Sequence, residues 1–479
     1  MAAPNTPNQP DKRRIFLNAF DMFTVGHMSY GQWRNPKDRS ATKRRDLSYW
    51  TDLARLLERG DFNALFLADT YGWLDVYRGD AEACVRSRTQ FPMGDPAVPV
   101  AAMAAVTCNL GFAITISASF DSPYVLAKRF STLDHLTGGR FGWNFVTSWK
   151  ASGFKAIGIE PVPHDKRYEI ADEYLCVLYK LWEGSWADDA LVEDRDNDIY
   201  ADYQKIRTIH HKGEHFTTEA PHILDPSPQR TPFIFQAGTS PAGIQFGATH
   251  AEVIFVVGLT PDIVAPRVKA IRAKAAEVGR DPRSIKVLAS ITPVLGRTRE
   301  EAEAKYQEAL QYASEEGALA YWCGNSGIDL SKFGRGEVIT EQTPGEGGGV
   351  ADVRIQSLVA NLSYKSEGVP EWTPRNIARA VAVGASGPVP VGTAEDIADE
   401  MERWIRIADV DGFNVGHVTT PGTWGDVVEL LVPELRRRGV YAPKGESRTM
   451  RERIYGQGQS GLRDDHPGSR YKYGVCTEG

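Results

Sequence analysis

Cysteine is scarce in this chain: five residues in 479, at positions 84, 108, 176, 323 and 476, with no Cys-x-x-Cys pair. Their odd number and wide scatter exclude a disulfide framework and fit a reducing, cytoplasmic setting, with each thiol read as a small buried hydrophobe. No run of 18 or more apolar residues occurs, so the pattern offers no spanning helix. The opening "MAAPNTPNQPDKRR" lacks an apolar signal core, and residues 1–13 read as a flexible polar arm. A formal net charge of -7 and the lack of a long basic block argue against a nucleic-acid surface. No Gly-x-Gly-x-x-Gly follows a predicted strand, no nucleophile elbow is present, and no internal repeat is found.

Present instead is a regular alternation of short apolar runs and helical patterns. Strands are predicted at 14–20, 64–70, 110–117, 141–148, 233–238, 253–258, 285–296 and 412–418. Most are continuously apolar, as in parallel sheets buried on both faces. Helices are predicted at 46–60, 123–137, 166–182, 262–279, 299–315, 394–407 and 424–438. Eight such units give an α/β fold, a TIM-like (β/α)8 barrel, with an open doubly wound sheet as the alternative. A single domain over 14–445 is expected, with insertions near 71–97, 183–230 and 318–390 and a tail at 446–479. That tail either wraps a neighbouring subunit or forms a loosely ordered end.

A barrel places its site at the carboxyl ends of the strands. Those ends carry Phe20, Asp21 and His27, then Asp69, Thr115, Ser117, Asn144, Thr147 and Ser148, then Gly238 to Ser240. Hydroxyls, an amide and few charges suit a large polar cofactor with a phosphate tail. They do not suit a metal, which wants converging His, Asp and Glu. In "FIFQAGTSPAG", Gly238 permits close backbone approach, Ser240 caps a helix and Pro241 starts it. The result is either a phosphate seat or a plain capped helix. His164 and Tyr168, four apart where a helix begins, present one face to the same region or to solvent. The histidines of "RTIHHKGEHF" (210, 211 and 215) are read as structural, with no metal assigned.

The segments "FLADT", "HLTGGRFGWNFVTS", "HDKRYEIADEYL", "SPQRTPFIFQAGTSPAG" and "DGFNV", in register from about residue 14 to 440, carry a likeness. The chain resembles the bacterial-luciferase-like flavin monooxygenases, in the branch of the nitrilotriacetate and dibenzothiophene-sulfone monooxygenases. The resemblance implies reduced FMN, supplied by a separate NADH-dependent flavin reductase, with O2 as co-substrate through a flavin C4a-peroxide. It also implies a homodimer or tetramer. By motif, Asp69 lies near the isoalloxazine edge, Thr115 and Ser117 beneath the ring, His164 and Tyr168 at the ribityl phosphate, and Ser240 on the phosphate. Asn144, Thr147 and Gly238 complete the cofactor set. Where relatives often place Arg after Ser-Pro, this chain has Ala242-Gly243-Ile244.

The expected reaction is oxygenation of a small organosulfur compound, dimethylsulfide giving methanethiol and formaldehyde. A sulfone or aromatic sulfur heterocycle, or FMN binding without catalysis, are the alternatives. Phe20, Tyr30, Trp33 and Trp143 are the candidate apolar wall, and His27 is the candidate for protonating or stabilising the oxygenating group.

Overall fold

The computed structural model describes residues 13–340, 371–441 and 448–475. Eight parallel strands close into a barrel: β1 (Phe16–Met22), β2 (Ala64–Ala68), β3 (Gly111–Ser117), β4 (Phe141–Val146), β5 (Phe233–Ala237), β6 (Val253–Val256), β7 (Lys286–Ile291) and β8 (Gly412–Val415). They stand in sequence order round the ring, and β1 pairs with β8 through Asn18↔Asn414 to close it. The doubly wound alternative is thereby excluded. The predicted run 285–296 divides in two: β7 ends at Ile291, and Val294–Leu295 pairs outside the barrel with Val391–Gly392.

Alternation explains why the strands read as unbroken apolar runs. Phe16, Phe66, Phe233, Phe235, Phe255 and Leu288 fill the lumen. Their neighbours Leu17, Leu65, Ile114, Ile234, Ile254 and Phe413 face the helical layer. Each such side chain taken out of water contributes about 1.5–3 kcal/mol. Most helices follow the predicted pattern, among them α1 (Leu47–Arg59), α2 (Pro123–Leu136), α3 (His164–Tyr179), α4 (Pro241–His250), α5 (Pro261–Glu277), α6 (Arg299–Tyr312) and α8 (Ala394–Ala408), while α7 (Glu315–Ser326) is an additional helix leading into the insertion 318–390. The predicted helix 424–438 is interrupted by a π-turn at Val427–Leu431, just before Pro433, whose missing N–H cannot join the ladder.

The described parts of two insertions, 71–97 and 318–390, pack on each other. Leu74, Val76, Tyr77, Trp322, Ile328, Trp372 and Ile377 form a second core above the mouth. The third insertion carries two antiparallel hairpins, and its histidines face separate carboxylates: His211 lies 3.1 Å from Glu173, and His210 lies 3.6 Å from Glu219.

The tail turns back under its own barrel. Residues 1–12 and 442–447 lie outside the described residues, but 448–475 are part of the fold. A capping box of Thr449 and Glu452 starts the helix α9, Met450–Tyr455. Met450 closes the floor of the lumen, and a Cβ on Gly111 or Gly142 would stand 2.6 Å or 2.8 Å from its side chain. Arg451, fully buried, binds Glu252 through Nε at 2.7 Å and Nη2 at 3.0 Å, and donates to the carbonyls of Gln229, Ser460, Thr231 and Pro232. Among the described residues, no helix is long and apolar enough to cross a membrane.

Candidate active site

The carboxyl ends of the strands open into a cavity of about 380 Å³, within the range of cofactor sites. Phe20, Met22, His27, Asp69, Thr147, His164, Tyr168, Gly238 and Ser240 all line it. Tyr321 and Asn325 of α7, with Ala385 and Ser386, cover it from the second core.

One corner is organised around the start of α4. Ser240 caps the helix, its Oγ accepting from the Gly243 N–H at 3.1 Å, and lies 3.4 Å from His164 Nε2. A Cβ on Gly238 or Gly243 would stand 3.2 Å or 3.1 Å from the Tyr168 hydroxyl, so small residues let that hydroxyl seat against the turn. Lys150 and Arg167 line the same cavity. Arg167 bonds the Ser148 carbonyl through Nη1, while its Nε is buried without a protein partner. Two cations, Arg167 of α3 and Lys150 of the loop after β4, thus stand at the cavity although none follows Ser240-Pro241. Arg167 was legible as the residue three beyond His164, on the same helical face.

Opposite, four strands round the ring, β1 contributes a mostly apolar wall: Phe20, Met22 and, in the following loop, His27 and Met28. The Phe20 ring stands edge-on to His27 with centroids 4.5 Å apart. Burial drives His27 down to about 3, which outweighs the opposing pull of Asp21. Asp69, between these walls, is raised to about 7 by burial, with Asp95 pushing the same way. Near neutrality it can therefore donate a hydrogen bond.

Three predicted cofactor residues lie just beneath the lining. Asn144 donates to Thr115 Oγ1 at 2.8 Å, inside the barrel two residues below Val146, and Ser148 bridges the cavity to Ser117 Oγ at 2.7 Å. Three predicted wall residues lie elsewhere. Trp143 is on the outer face of β4, fully buried against Phe130 and Trp182, with its indole N–H donating to the Ile116 carbonyl at 2.9 Å. Tyr30 is fully buried in the second core, its ring tilted against Tyr321, which takes the place at the cavity instead. Trp33 lies under the Arg88 guanidinium, 4.9 Å away, outside the lining. Missed by the sequence reading were Gln90, Gln236, Ser290 and Ser386. The Ser290 Oγ and Ser386 Oγ atoms are buried without partners and suit the polar edge of a flavin ring, whereas the Gln236 side chain turns outward, its Oε1 lying against Gly247 of α4.

Below His27, Asp21, His27 and His417 offer atoms within 4.8 Å of one another, the one such group among the described residues. The 2.9 Å separation of His417 Nε2 and Asp21 Oδ1 is a hydrogen-bond length, and it occupies the edges an ion would need.

Residues 26–409 match the model of the luciferase-like monooxygenase family. The chain belongs to that family. This luciferase-like flavin monooxygenase is 42% identical over 462 residues to the dimethyl-sulfide monooxygenase of Hyphomicrobium sulfonivorans, covering 96% of this chain and 94% of that one. It is 43% identical over 461 residues to the long-chain alkane monooxygenase of Geobacillus thermodenitrificans, covering 96% and 98%. Among solved structures, a riboflavin lyase with modified FMN and riboflavin superposes with a TM-score of 0.86 at 35% identity, over 96% of this chain and all of that one. The barrel geometry and the family agree.

Proposed function

We propose that this monooxygenase is the oxygenating half of a two-component system. Reduced FMN arrives from a separate NADH-dependent flavin reductase, and the substrate is a small organosulfur compound, dimethylsulfide. The observation that supports this most is the division of one cavity into a phosphate corner and an apolar wall on opposite strands. His164, Arg167, Tyr168 and Ser240 would hold the phosphate; Asp69, Ser290 and Ser386 would meet the ring; Thr115, Ser117 and Asn144 would support it from below. Reduced FMN, when bound, supplies the two electrons that activate O2.

The remaining work falls to side chains of this chain. Phe20, Met22, Met28, Phe255 and Tyr321 offer dispersion contacts and few hydrogen bonds, which suits an uncharged substrate. Tyr321, Asn325 and Ser386 exclude water from above. Neutral His27 faces the reacting end and can accept a proton there, while Asp69 holds one below about pH 7. In the overall reaction dimethylsulfide, O2 and reduced FMN give methanethiol, formaldehyde, water and oxidised FMN.

One observation favours a second reading, a bulkier or longer apolar substrate. Beyond Asp69, Thr70 and Gln90 the cavity joins a groove of about 850 Å³ lined by Tyr71, Trp73, Phe91 and Met93. The groove also carries Asp75 and Asp95 against one cation, Lys155, a balance that does not favour anionic substrates. The test combines the protein with FMN, NADH and an unrelated flavin reductase, then offers dimethylsulfide, dibutyl sulfide, dibenzothiophene sulfone and hexadecane in parallel. Formaldehyde release from dimethylsulfide that needs every component supports the first reading. Product from the long or bulky compounds alone supports the second.

A further inference from the structure

Two buried residues below the cavity, Asp21 and His417, have no part in the assignments above. Their meeting follows from barrel closure. Asn18 of β1 is in register with Asn414 of β8, and Asp21 and His417 each lie three residues further on. The side chains touch: His417 Nε2 is 2.9 Å from Asp21 Oδ1. His27 approaches the same oxygen, but its Nδ1 stays 4.0 Å away. The two imidazole rings are 6.0 Å apart. Asp21 Oδ1 also accepts from the Met22 N–H at 2.8 Å, while Asp21 Oδ2 and both Nδ1 atoms have no protein partner.

Charge limits what this trio can be. All three side chains are buried, and among the described residues Asp21 is the one carboxylate hydrogen-bonded to either ring, so two imidazolium ions there would be poorly compensated out of water. One proton is therefore shared between two rings, and geometry decides which ring holds it. His417 makes the hydrogen bond; His27 does not. Asp38 also faces His417 from the loop after β1, with Tyr49 of α1 and the Trp424 ring close by. Around His27 the other neighbours are the Phe20 ring and carbonyl, and Gln90, which donates to the His27 carbonyl at 3.0 Å.

We propose that Asp21 and His417 are positioning residues that take this proton between them and so present His27 to the cavity as a fixed, neutral imidazole. The electrostatics agree. Burial alone would lower His417, but Asp21, with Asp38 behind it, outweighs burial and the net direction is upward. His27 is thereby kept as an acceptor, not as a ready-made cationic acid. The inference builds on the reading of His27 as the group facing the reacting end, yet the proton's location can be measured without turnover.

The test is NMR of the full-length protein labelled with 15N at histidine, with His27→Gln and His417→Gln variants to assign the two rings. In the unmodified protein, His27 is expected to stay neutral in one tautomer from pH 5 to 8, and His417 to titrate above the ordinary imidazole value. In His417→Gln, the His27 ring is expected to take up a proton within that window. In Asp21→Asn, both rings are expected to be neutral at pH 7. Should Asp21→Asn fail to fold, His417→Gln and His417→Asn carry the test alone. A His27 ring that titrates identically with and without His417, or one protonated at pH 7 from the start, overturns the proposal. Turnover gives the second readout: His417→Gln should move the acid limb of the kcat profile and leave KM within about twofold. A merely structural role would lower thermal stability without moving that limb. Full activity in His27→Gln would sink the role given to His27 while leaving the NMR result intact.

Discussion

At the floor of the barrel, a buried guanidinium meets a carboxylate and four carbonyls, and each of its nitrogens is engaged. At the mouth, about one strand length away, Arg167 Nε, His27 Nδ1, Ser290 Oγ and Ser386 Oγ are buried with nothing in the protein to bond. Burial is comparable; satisfaction is not. A buried polar group with partners contributes to fold, whereas one without costs about 1–3 kcal/mol unless a ligand completes it. The floor has its own gap, where Asn18, Asn63 and Arg453 line a void of about 10 Å³, the size of one water.

The largest effect should come from breaking the floor. Glu252→Ala leaves Arg451 charged and unpaired, and should cost about 3–5 kcal/mol in urea denaturation. The double change Arg451→Met with Glu252→Leu should recover most of that loss. A single-variant cost below about 1 kcal/mol would show that the floor is not held this way.

At the mouth the expected loss is one of binding. Ser240→Asp keeps an N-cap but sets a charge against the phosphate, so FMN affinity should fall about 100-fold with an unchanged thermal midpoint. Ser240→Ala should lose less affinity but about 1 kcal/mol of stability. Equal effects of both on stability and none on affinity, by flavin fluorescence titration, would remove Ser240 from the site.

Acid comes next, because it loads groups in both regions. Burial holds His27 down to about 3, His222 to about 4 and His466 well below its ordinary value. Each is neutral when folded and takes a proton below about 6.5 once unfolded, so the unfolded chain binds more protons and stability falls from pH 6.5 toward 4. His222→Gln should flatten part of that decline in denaturation at pH 5 relative to pH 7.

The smallest effect concerns Asp69. Its carboxyl, raised to about 7, loses its O–H above that pH, and FMN affinity should weaken severalfold between pH 6 and 8.5. Asp69→Asn, which keeps a donor at every pH, should bind FMN evenly across the range.

Much of this was written in the chain. The eight strands were legible because both faces are apolar, and the Ser240-Pro241 pair marks a helix start by elementary capping chemistry. Parity would have corrected Trp143: with Asn144 inside the barrel, its neighbour must point outward. Tyr30 and Trp33 were less accessible, since their surroundings are built by insertions far along the chain. The Arg451–Glu252 pair spans 199 positions and the Asp21–His417 pair 396, and no local pattern announces either. The second becomes readable only once β1 and β8 are known to be neighbours.

The way the floor is closed bears on how the protein is made. Strand β8 supplies the last stave at residue 415, yet the stopper at Met450 follows 35 positions later. At about 5–20 residues per second, a ribosome needs roughly two to seven seconds to add it. During that interval a nascent ring has an uncorked, greasy underside. Completion of the lumen floor is thus left to a segment made after the ring itself.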